Sequence, residues 1–244
     1  MIPAIRAEFR KLLTVRSTLF IFLIGLALVT LFAGFIEGYR GTPPELLNPF
    51  KLMSEVTGAV SVVGILAAIT GLLLWAHEYR HLTIMYTLTS SNNRSKVLLA
   101  KVIVVTVYAL LFTAVLTTLS PLLTIAGAHL HGHDLGPQMF YYRDIIWRTL
   151  FYGWAYGMLG LMLAGLIRNQ IGAIVVLFIV PSMVEGILTL LLKSNAIYLP
   201  FTALGSVVNK NPQLSYTKAA AVFMIYLVVG WLITWILFLR RDAN

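Results

Sequence analysis

Six long apolar runs constrain the fold of this chain more than any other feature of its sequence. Each run is about 20 residues long, enough to cross the hydrocarbon core of a bilayer as a helix. Such runs must be helical, because lipid offers no hydrogen-bond partner to stray backbone groups. The sequence therefore predicts an all-α integral membrane protein with six transmembrane helices, at Ser17–Ile36, Val56–Ala76, Val102–Ala128, Thr149–Ile167, Ile171–Leu192 and Ala219–Leu239.

The composition agrees with a lipid environment. Hydrophobic residues make up 59% of the chain and charged residues only 11%, whereas a soluble domain has about 45–50% and about 25%. The chain also has no cysteine, which excludes a disulfide framework and a cysteine–zinc site. No internal repeat or low-complexity segment interrupts residues 1–244, so we expect a single transmembrane domain.

The basic residues are distributed unevenly between the two sides of the predicted spans. One side has eleven Lys and Arg against three acids, and the other has seven against six, with Glu185 counted there. Because basic residues accumulate on the cytoplasmic side of membrane proteins, both termini are predicted to be cytoplasmic, in a multi-pass protein of the cell membrane. The net charge of +9 then reflects topology, and no nucleic acid is expected as a partner.

Residues 1–16 are too short to span a bilayer, but they have one apolar and one basic face. We expect an interfacial helix whose basic side chains reach the head groups of membrane lipids. An ordinary basic flank of the first span is the alternative. The apolar positions that recur at helical spacing are Ile2, Ile5, Phe9, Leu12 and Leu13.

Motifs for nucleotide and hydrolytic chemistry are missing from the sequence. It contains no Gly-Lys-Ser or Gly-Lys-Thr of a phosphate-binding loop, no HExxH and no G-x-S-x-G. We therefore expect no catalytic residue and no cofactor on this chain itself.

Glu185 lies inside the fifth predicted span, one turn beyond Pro181. A carboxylate at that depth is costly, so Glu185 is a candidate functional residue. It can pair with a cation, carry a proton or satisfy the backbone opened at Pro181. A structural role is at least as well supported as a transport role.

Three further parts of the sequence each allow two interpretations. His129, His131 and His133, with Asp134, can form either a weak metal site or a solvated loop, and we expect no metal.

Segment 194–218 contains an apolar patch that either dips into the membrane edge or covers helix ends. Small residues at about four-residue spacing in the fourth span predict close helix packing, within or between subunits: Gly153, Gly157, Gly160 and Ala164.

Two stretches resemble the type-2 permeases of bacterial ABC exporters. The first is His77-Glu78-Tyr79-Arg80-His81-Leu82-Thr83-Ile84, which continues to Asn93-Arg94 and Ala100-Lys101. The second runs from Leu166-Ile167-Arg168-Asn169-Gln170 to Val175, with Val184-Glu185 further on. Leu82 departs from the family pattern, which often has Gly at that position.

The resemblance implies a membrane permease that works with separate ATPase subunits. Two cytoplasmic ATPase subunits would bind ATP and Mg²⁺ and would drive the export of a drug, peptide or lipid. The permease would pair with a second copy or with a paralogous permease. Residues 78–90 would form a cytoplasmic coupling helix that contacts the ATPase, with these coupling residues: Glu78, Tyr79, Arg80, Leu82, Thr83, Ile84 and Arg94.

Two other function classes remain as alternatives. A membrane-embedded enzyme would need several polar groups at one depth, and Glu185 is the only charged residue inside a predicted span. A secondary transporter that works without ATP would be indicated by inverted repeats and broken helices, and neither is clear in the sequence.

Overall fold

The described part of the chain is mostly helical. The computed structural model describes residues 2–41, 49–90, 93–133, 143–209 and 211–240, and no strand occurs in these ranges. The helices are α1 (Ile2–Thr14), α2 (Arg16–Val29), α3 (Pro49–Arg80), α4 (Ile84–Ser90), α5 (Arg94–Leu130), α6 (Arg143–Ile167), α7 (Gln170–Ile179), α8 (Glu185–Leu192), α9 (Pro200–Val208) and α10 (Tyr216–Arg240).

Two helices continue beyond their α-helical part. α2 runs on as a π-helix over Thr30–Tyr39, and a π-helical turn at Val180–Val184 joins α7 to α8. Pro181 lies in that turn, where its missing backbone N–H removes one helical hydrogen bond. A 3-10 segment, Lys193–Tyr198, precedes α9.

Six helical stretches of the described residues are long and apolar enough to cross a membrane, which confirms the prediction at this level. Each predicted span overlaps one of them. The stretches are Arg16–Tyr39, Val62–Arg80, Arg94–Leu130, Ile146–Ile167, Gln170–Tyr198 and Tyr216–Arg240.

The segment predicted as one coupling helix over residues 78–90 is divided in the structure. Glu78 belongs to the last turn of α3, and a turn over residues 81–83 separates it from α4. Leu82 in that turn has φ = 54°, in the left-handed region that favours glycine. The left-handed residue ends α3 and allows the chain to start a second, separate helix.

Asparagine side chains fix the starts of two helices. The Asn93 side chain accepts hydrogen bonds from the backbone N–H groups of Ser95 and Lys96, at 2.9 and 3.3 Å, and so caps the third span. Asn169 likewise accepts one from Gly172 N at 2.9 Å. Only Arg168 and Asn169 separate α6 from α7, so these two helices pack against each other.

The most extensive helix packing in the described residues is between α3 and α6. The predicted small residues lie in this region and pack against helices of the same chain. A Cβ on Gly160 would collide with the Ala68 carbonyl oxygen on α3, and one on Gly153 would collide with Thr113 on α5. Small residues therefore allow the backbones of α3, α5 and α6 to approach closely.

Substitution of Gly160 by Ala should destabilise the helix bundle. The added methyl group meets backbone on α3, which cannot move aside as a flexible side chain can. We expect Gly160→Ala to cost about 1–3 kcal/mol and to lower the melting temperature of the purified protein in detergent. Gly186→Ala is the control, since its Cβ would meet nothing within 4 Å and alanine favours a helix. Equal melting temperatures for the two variants would refute this account of the packing.

Candidate functional site

Four charged side chains form a closed network at one end of the helix bundle. The Lys101 ammonium on α5 lies 2.9 Å from Glu8 Oε2 on α1 and 2.9 Å from Glu78 Oε1 on α3. The Lys11 ammonium lies 2.7 Å from Glu8 Oε1 and 2.5 Å from Glu78 Oε1. The Thr87 hydroxyl on α4 lies 3.3 Å from Lys11 Nζ. The network therefore joins α1, α3, α4 and α5.

The network is electrically neutral, with two cations and two carboxylates. The Lys101 side chain is 0% exposed, so its charge is stable there only because two carboxylates replace the lost water. Burial alone would lower the pKa of Lys11, but Glu78 and Glu8 outweigh this effect and raise it above the ordinary 10.5. The ion pairs of Lys11 therefore contribute their full share of folding stability below pH 10.5. This stability is lost only as the pH rises through the raised pKa of Lys11.

A short helical knob stands beside this network and consists of residues 81–87. Ile84 is buried in the hydrophobic core and anchors the knob. Leu82 is 73% exposed, Met85 47% and Tyr86 77%. The knob thus exposes three large apolar side chains, of which Leu82 has a strained backbone conformation.

The seven predicted coupling residues fall into two groups. Arg80, Leu82 and Thr83 are exposed on or beside the knob. The other four lie against residues of this chain. Glu78 was expected to make charged contacts with a partner, but it is 4% exposed and belongs to the ion network. Ile84 was expected as an apolar contact, but it is buried in the core.

The remaining two predicted residues, Tyr79 and Arg94, hold other helices together. The Tyr79 ring stacks on Trp75 at a centroid distance of 6.5 Å, and the Arg168 guanidinium lies 5.7 Å from the Tyr79 ring centroid. Arg94 donates a hydrogen bond to the Phe238 carbonyl oxygen at 3.3 Å. A cation at the C-terminal end of α10 also complements the helix dipole.

Arg168 also reaches this helix end, because its guanidinium lies 3.5 Å from the Leu237 carbonyl oxygen. The start of α5, the turn between α6 and α7, and the end of α10 therefore meet at the same end of the bundle as the ion network. We call this the basic end. Arg241, the one basic residue beyond position 240, lies outside the described residues.

Glu185 is 4% exposed and caps a helix that follows it in the chain. Its Oε1 accepts a hydrogen bond from Phe201 N at 2.7 Å, and its Oε2 accepts from Thr202 N and Thr202 Oγ1, both at 2.9 Å. These N–H groups belong to the first turn of α9, where no intrahelical acceptor exists. A carboxylate there also complements the positive end of the helix dipole. The structure thus shows Glu185 satisfying backbone donors, at α9 and not at Pro181.

The position of this cap defines the path of the chain between Leu192 and Pro200. Leu192 ends α8 seven residues after Glu185, which corresponds to roughly 10 Å along the helix. Because α9 begins beside Glu185, the chain must return by that distance between Leu192 and Pro200. Ile187, Leu190 and Leu191 are exposed apolar residues over the same stretch of α8. The first part of segment 194–218 therefore folds back alongside α8.

The histidines lie at the opposite end of the bundle. The His131 ring contacts Tyr39 edge-on at 4.9 Å and lies 5.4 Å from His133. Among the described residues, no three His, Asp or Glu side chains are arranged to hold a metal ion. Asp134, the fourth member of the predicted cluster, lies outside the described residues.

The sequence motifs do not predict four residues that the structure places at this site: Glu8, Lys11, Lys101 and Tyr86. Glu8 and Lys11 have the i,i+3 spacing of a helical ion pair, which is a weak signal. Lys101, at the start of a long apolar run, was the stronger signal, because a buried cation requires an acidic partner.

Taken together, the six long apolar helices indicate a multi-pass helical membrane protein. The chain belongs to the DUF2705 family, whose model, described as "Protein of unknown function (DUF2705)", matches residues 12–243. The comparison with curated proteins gives no match.

Removal of the Lys101 charge should destabilise the basic end. Lys101→Met leaves Glu8 and Glu78 buried with a single cation, and such a loss costs about 3–5 kcal/mol. Thermal unfolding in detergent measures the effect. Lys96→Met is the control, because Lys96 is exposed on the same helix. If both variants unfold at the wild-type temperature, the network does not stabilise the protein.

Replacement of Glu185 by Gln should release α9. The Gln side chain has an NH₂ group in place of one carboxylate oxygen, and this group cannot accept hydrogen bonds from the N–H groups of α9. One or two of the three hydrogen bonds are therefore lost, which lowers the free energy of unfolding by about 1–3 kcal/mol. Because the chain has no cysteine, a single one introduced at Leu204, which is buried on α9, reports the change. We expect maleimide labelling of Leu204→Cys only when Glu185→Gln is also present. Tyr198→Cys, at an exposed position, should label in both backgrounds. Protection of Leu204→Cys in both backgrounds would contradict the capping role.

Proposed function

We propose that this chain is the membrane-spanning permease subunit of an ATP-driven ABC exporter. The proposal rests on the resemblance of residues 77–101 and 166–185 to type-2 permeases, together with one structural observation. That observation is the apolar knob, whose exposed Leu82, Met85 and Tyr86 lie on a rigidly held support. The expected substrate is hydrophobic or amphipathic, such as a drug, peptide or lipid.

The knob has the character of a docking surface. Exposed aromatic and apolar side chains commonly supply most of the binding energy in a small protein interface. Here Leu82 and Tyr86 provide the apolar anchors, and the exposed Arg80 provides a charge beside them. A groove on a cytoplasmic ATPase subunit is the proposed partner, and ATP and Mg²⁺ would be bound there and not by this chain.

The ion network gives this surface a mechanical connection to the spans. Thr87 on the knob contacts Lys11, and Lys11 contacts Glu78 at the end of α3. Lys101 continues the connection into α5. A displacement of the knob on ATP binding would therefore move α1, α3 and α5 together and switch access to the substrate. Under this proposal Glu78 positions the knob and does not itself bind the partner.

The proposal also assigns an orientation and an assembly. The basic end faces the cytoplasm, with both chain termini on that side of the cell membrane. Two ATPase subunits and two permeases, identical or paralogous, make up the transporter.

Purification from native membranes tests the proposal directly. We expect a cytoplasmic ATPase with a phosphate-binding loop to co-purify, and its ATP hydrolysis to respond to reconstitution with the permease. A chain that purifies alone and transports without ATP would overturn the proposal in favour of a secondary transporter.

Substitutions of Leu82 separate docking from folding. Leu82→Gly relieves the left-handed strain of about 1–2 kcal/mol at an entropic cost of about 0.5–1 kcal/mol, so the melting temperature should not fall. Both Leu82→Gly and Leu82→Ala remove the exposed side chain, and both should weaken binding of the co-purified ATPase by roughly tenfold. Leu13→Ala is the control, since Leu13 is an exposed apolar residue on α1 outside the knob. ATPase binding by both Leu82 variants as tight as wild type would contradict the assignment of the knob.

A further inference from the structure

Buried hydroxyl side chains lie on one face of α5, in the half of the bundle away from the basic end. They are Thr113, Thr117, Ser120 and Thr124, at the three- and four-residue spacing that places side chains on the same side of a helix. Each is at most 6% exposed. This hydroxyl face extends roughly 16 Å along the helix, which is about half the thickness of the hydrocarbon core of a bilayer.

Three of these hydroxyl groups accept and donate no hydrogen bond in the part of the chain that the structure describes: those of Thr113, Thr117 and Ser120. The Thr124 hydroxyl, in contrast, donates to the Ser120 carbonyl oxygen at 3.2 Å. Two turns nearer the basic end, Thr106 accepts a hydrogen bond from Trp154 Nε1 at 3.2 Å. A buried hydroxyl without a partner destabilises the packing around it, because it has lost its hydrogen bonds to water. Three in one row call for an explanation.

α6 and the π-helical part of α2 close the hydroxyl face. A Cβ on Gly153 of α6 would collide with the Thr113 hydroxyl, so the α6 backbone lies directly against it. At the other end of the face, a Cβ on Gly38 in the π-helix would collide with the Thr124 carbonyl oxygen. The two glycines allow the helices to approach closely, but they have no side chain that could bond to the hydroxyl groups.

The helices that meet at the hydroxyl face are irregular. Pro121 directly follows Ser120 and removes one backbone hydrogen bond of α5. The part of α2 that packs on this stretch of α5 is the π-helix Thr30–Tyr39, a form that is rare and frequent at functional sites. Prolines and π-helical turns are the positions at which helices bend. The part of α5 beyond Pro121 therefore has a hinge beside the unpartnered hydroxyl groups.

We propose that α5 separates from these neighbours at the hydroxyl face and opens a water-filled path through the half of the membrane away from the basic end. Bending at Pro121 supplies the movement. Water then satisfies the hydroxyl groups that the closed form leaves without partners, which offsets the lost helix packing. Under the proposed exporter function, on which this last step rests, the path is the exit for the polar part of an amphipathic substrate. The opening itself is a property of this chain alone.

The reaction of an introduced thiol with a charged reagent measures the opening. The chain has no cysteine, so Ser120→Cys places a single, nearly isosteric thiol on the hydroxyl face. Ala155→Cys places a matched thiol on α6 in the hydrophobic core, at a residue that is 0% exposed. The purified chain in lipid nanodiscs is treated with a trimethylammonium methanethiosulfonate, which reacts only with thiols that contact water.

We expect Ser120→Cys to react at least roughly tenfold faster than Ala155→Cys, because local opening exposes the first and only global unfolding exposes the second. Equal rates for the two thiols would overturn the proposal. The experiment involves no ATPase, so its failure would not bear on the exporter function, and a chain that purifies without an ATPase would not bear on the opening.

Removal of one hydroxyl group tests the cause of the opening. Thr117→Val keeps the shape of the side chain but removes a group that only the open form satisfies, so it should slow labelling of Ser120→Cys by roughly tenfold. Thr124→Val is the matched control, since the Thr124 hydroxyl already has a partner in the closed form and its loss should not slow labelling. Unchanged labelling with Thr117→Val, or equal slowing by both variants, would refute the role of the unpartnered hydroxyl groups.

Discussion

The burial of the Lys101 ammonium group determines how the basic end is built. A lysine charge without water needs acidic partners, and the two carboxylates that supply them come from different helices. Glu8 belongs to α1 and Glu78 to the end of α3, so neutralisation of Lys101 also fixes the amphipathic α1 against the bundle. Lys11 closes the network by bridging the same two carboxylates.

This network has consequences for its neighbours on two sides. On one side it supports the knob of residues 81–87 through Thr87, which keeps the exposed Leu82 and Tyr86 at a fixed position. On the other side it lines a cavity beside α3.

Much of the fold follows from local sequence features. Long apolar runs define the candidate spans, and an asparagine, Asn93, caps the start of α5. The division of residues 78–90 into two helices was harder to predict from the sequence. Nothing near Arg80 breaks a helix except the left-handed backbone of Leu82, which only the structure shows. The family's frequent glycine at that position was the one indication of such a turn.

The candidate site was harder to predict, because its contacts join distant parts of the chain. Lys101 and Glu8 are 93 positions apart, and no local pattern connects them. The position of Glu185 inside an apolar run marked it as unusual. Its partners are backbone N–H groups of α9, and because every residue except proline has such a group, the sequence does not show which ones Glu185 binds. Sequence identifies a charge that needs a partner, whereas the tertiary structure decides which partner it finds.

A double-mutant cycle between Glu8 and Lys101 tests the central claim most directly. The free energies of unfolding of Glu8→Gln, Lys101→Met and the double variant are compared with that of the wild type. If the buried ion pair fixes α1 on the bundle, the double variant is less destabilised than the sum of the two single variants, by at least about 1 kcal/mol. Effects that add to within about 0.5 kcal/mol would show that the two residues do not interact, and would contradict the account.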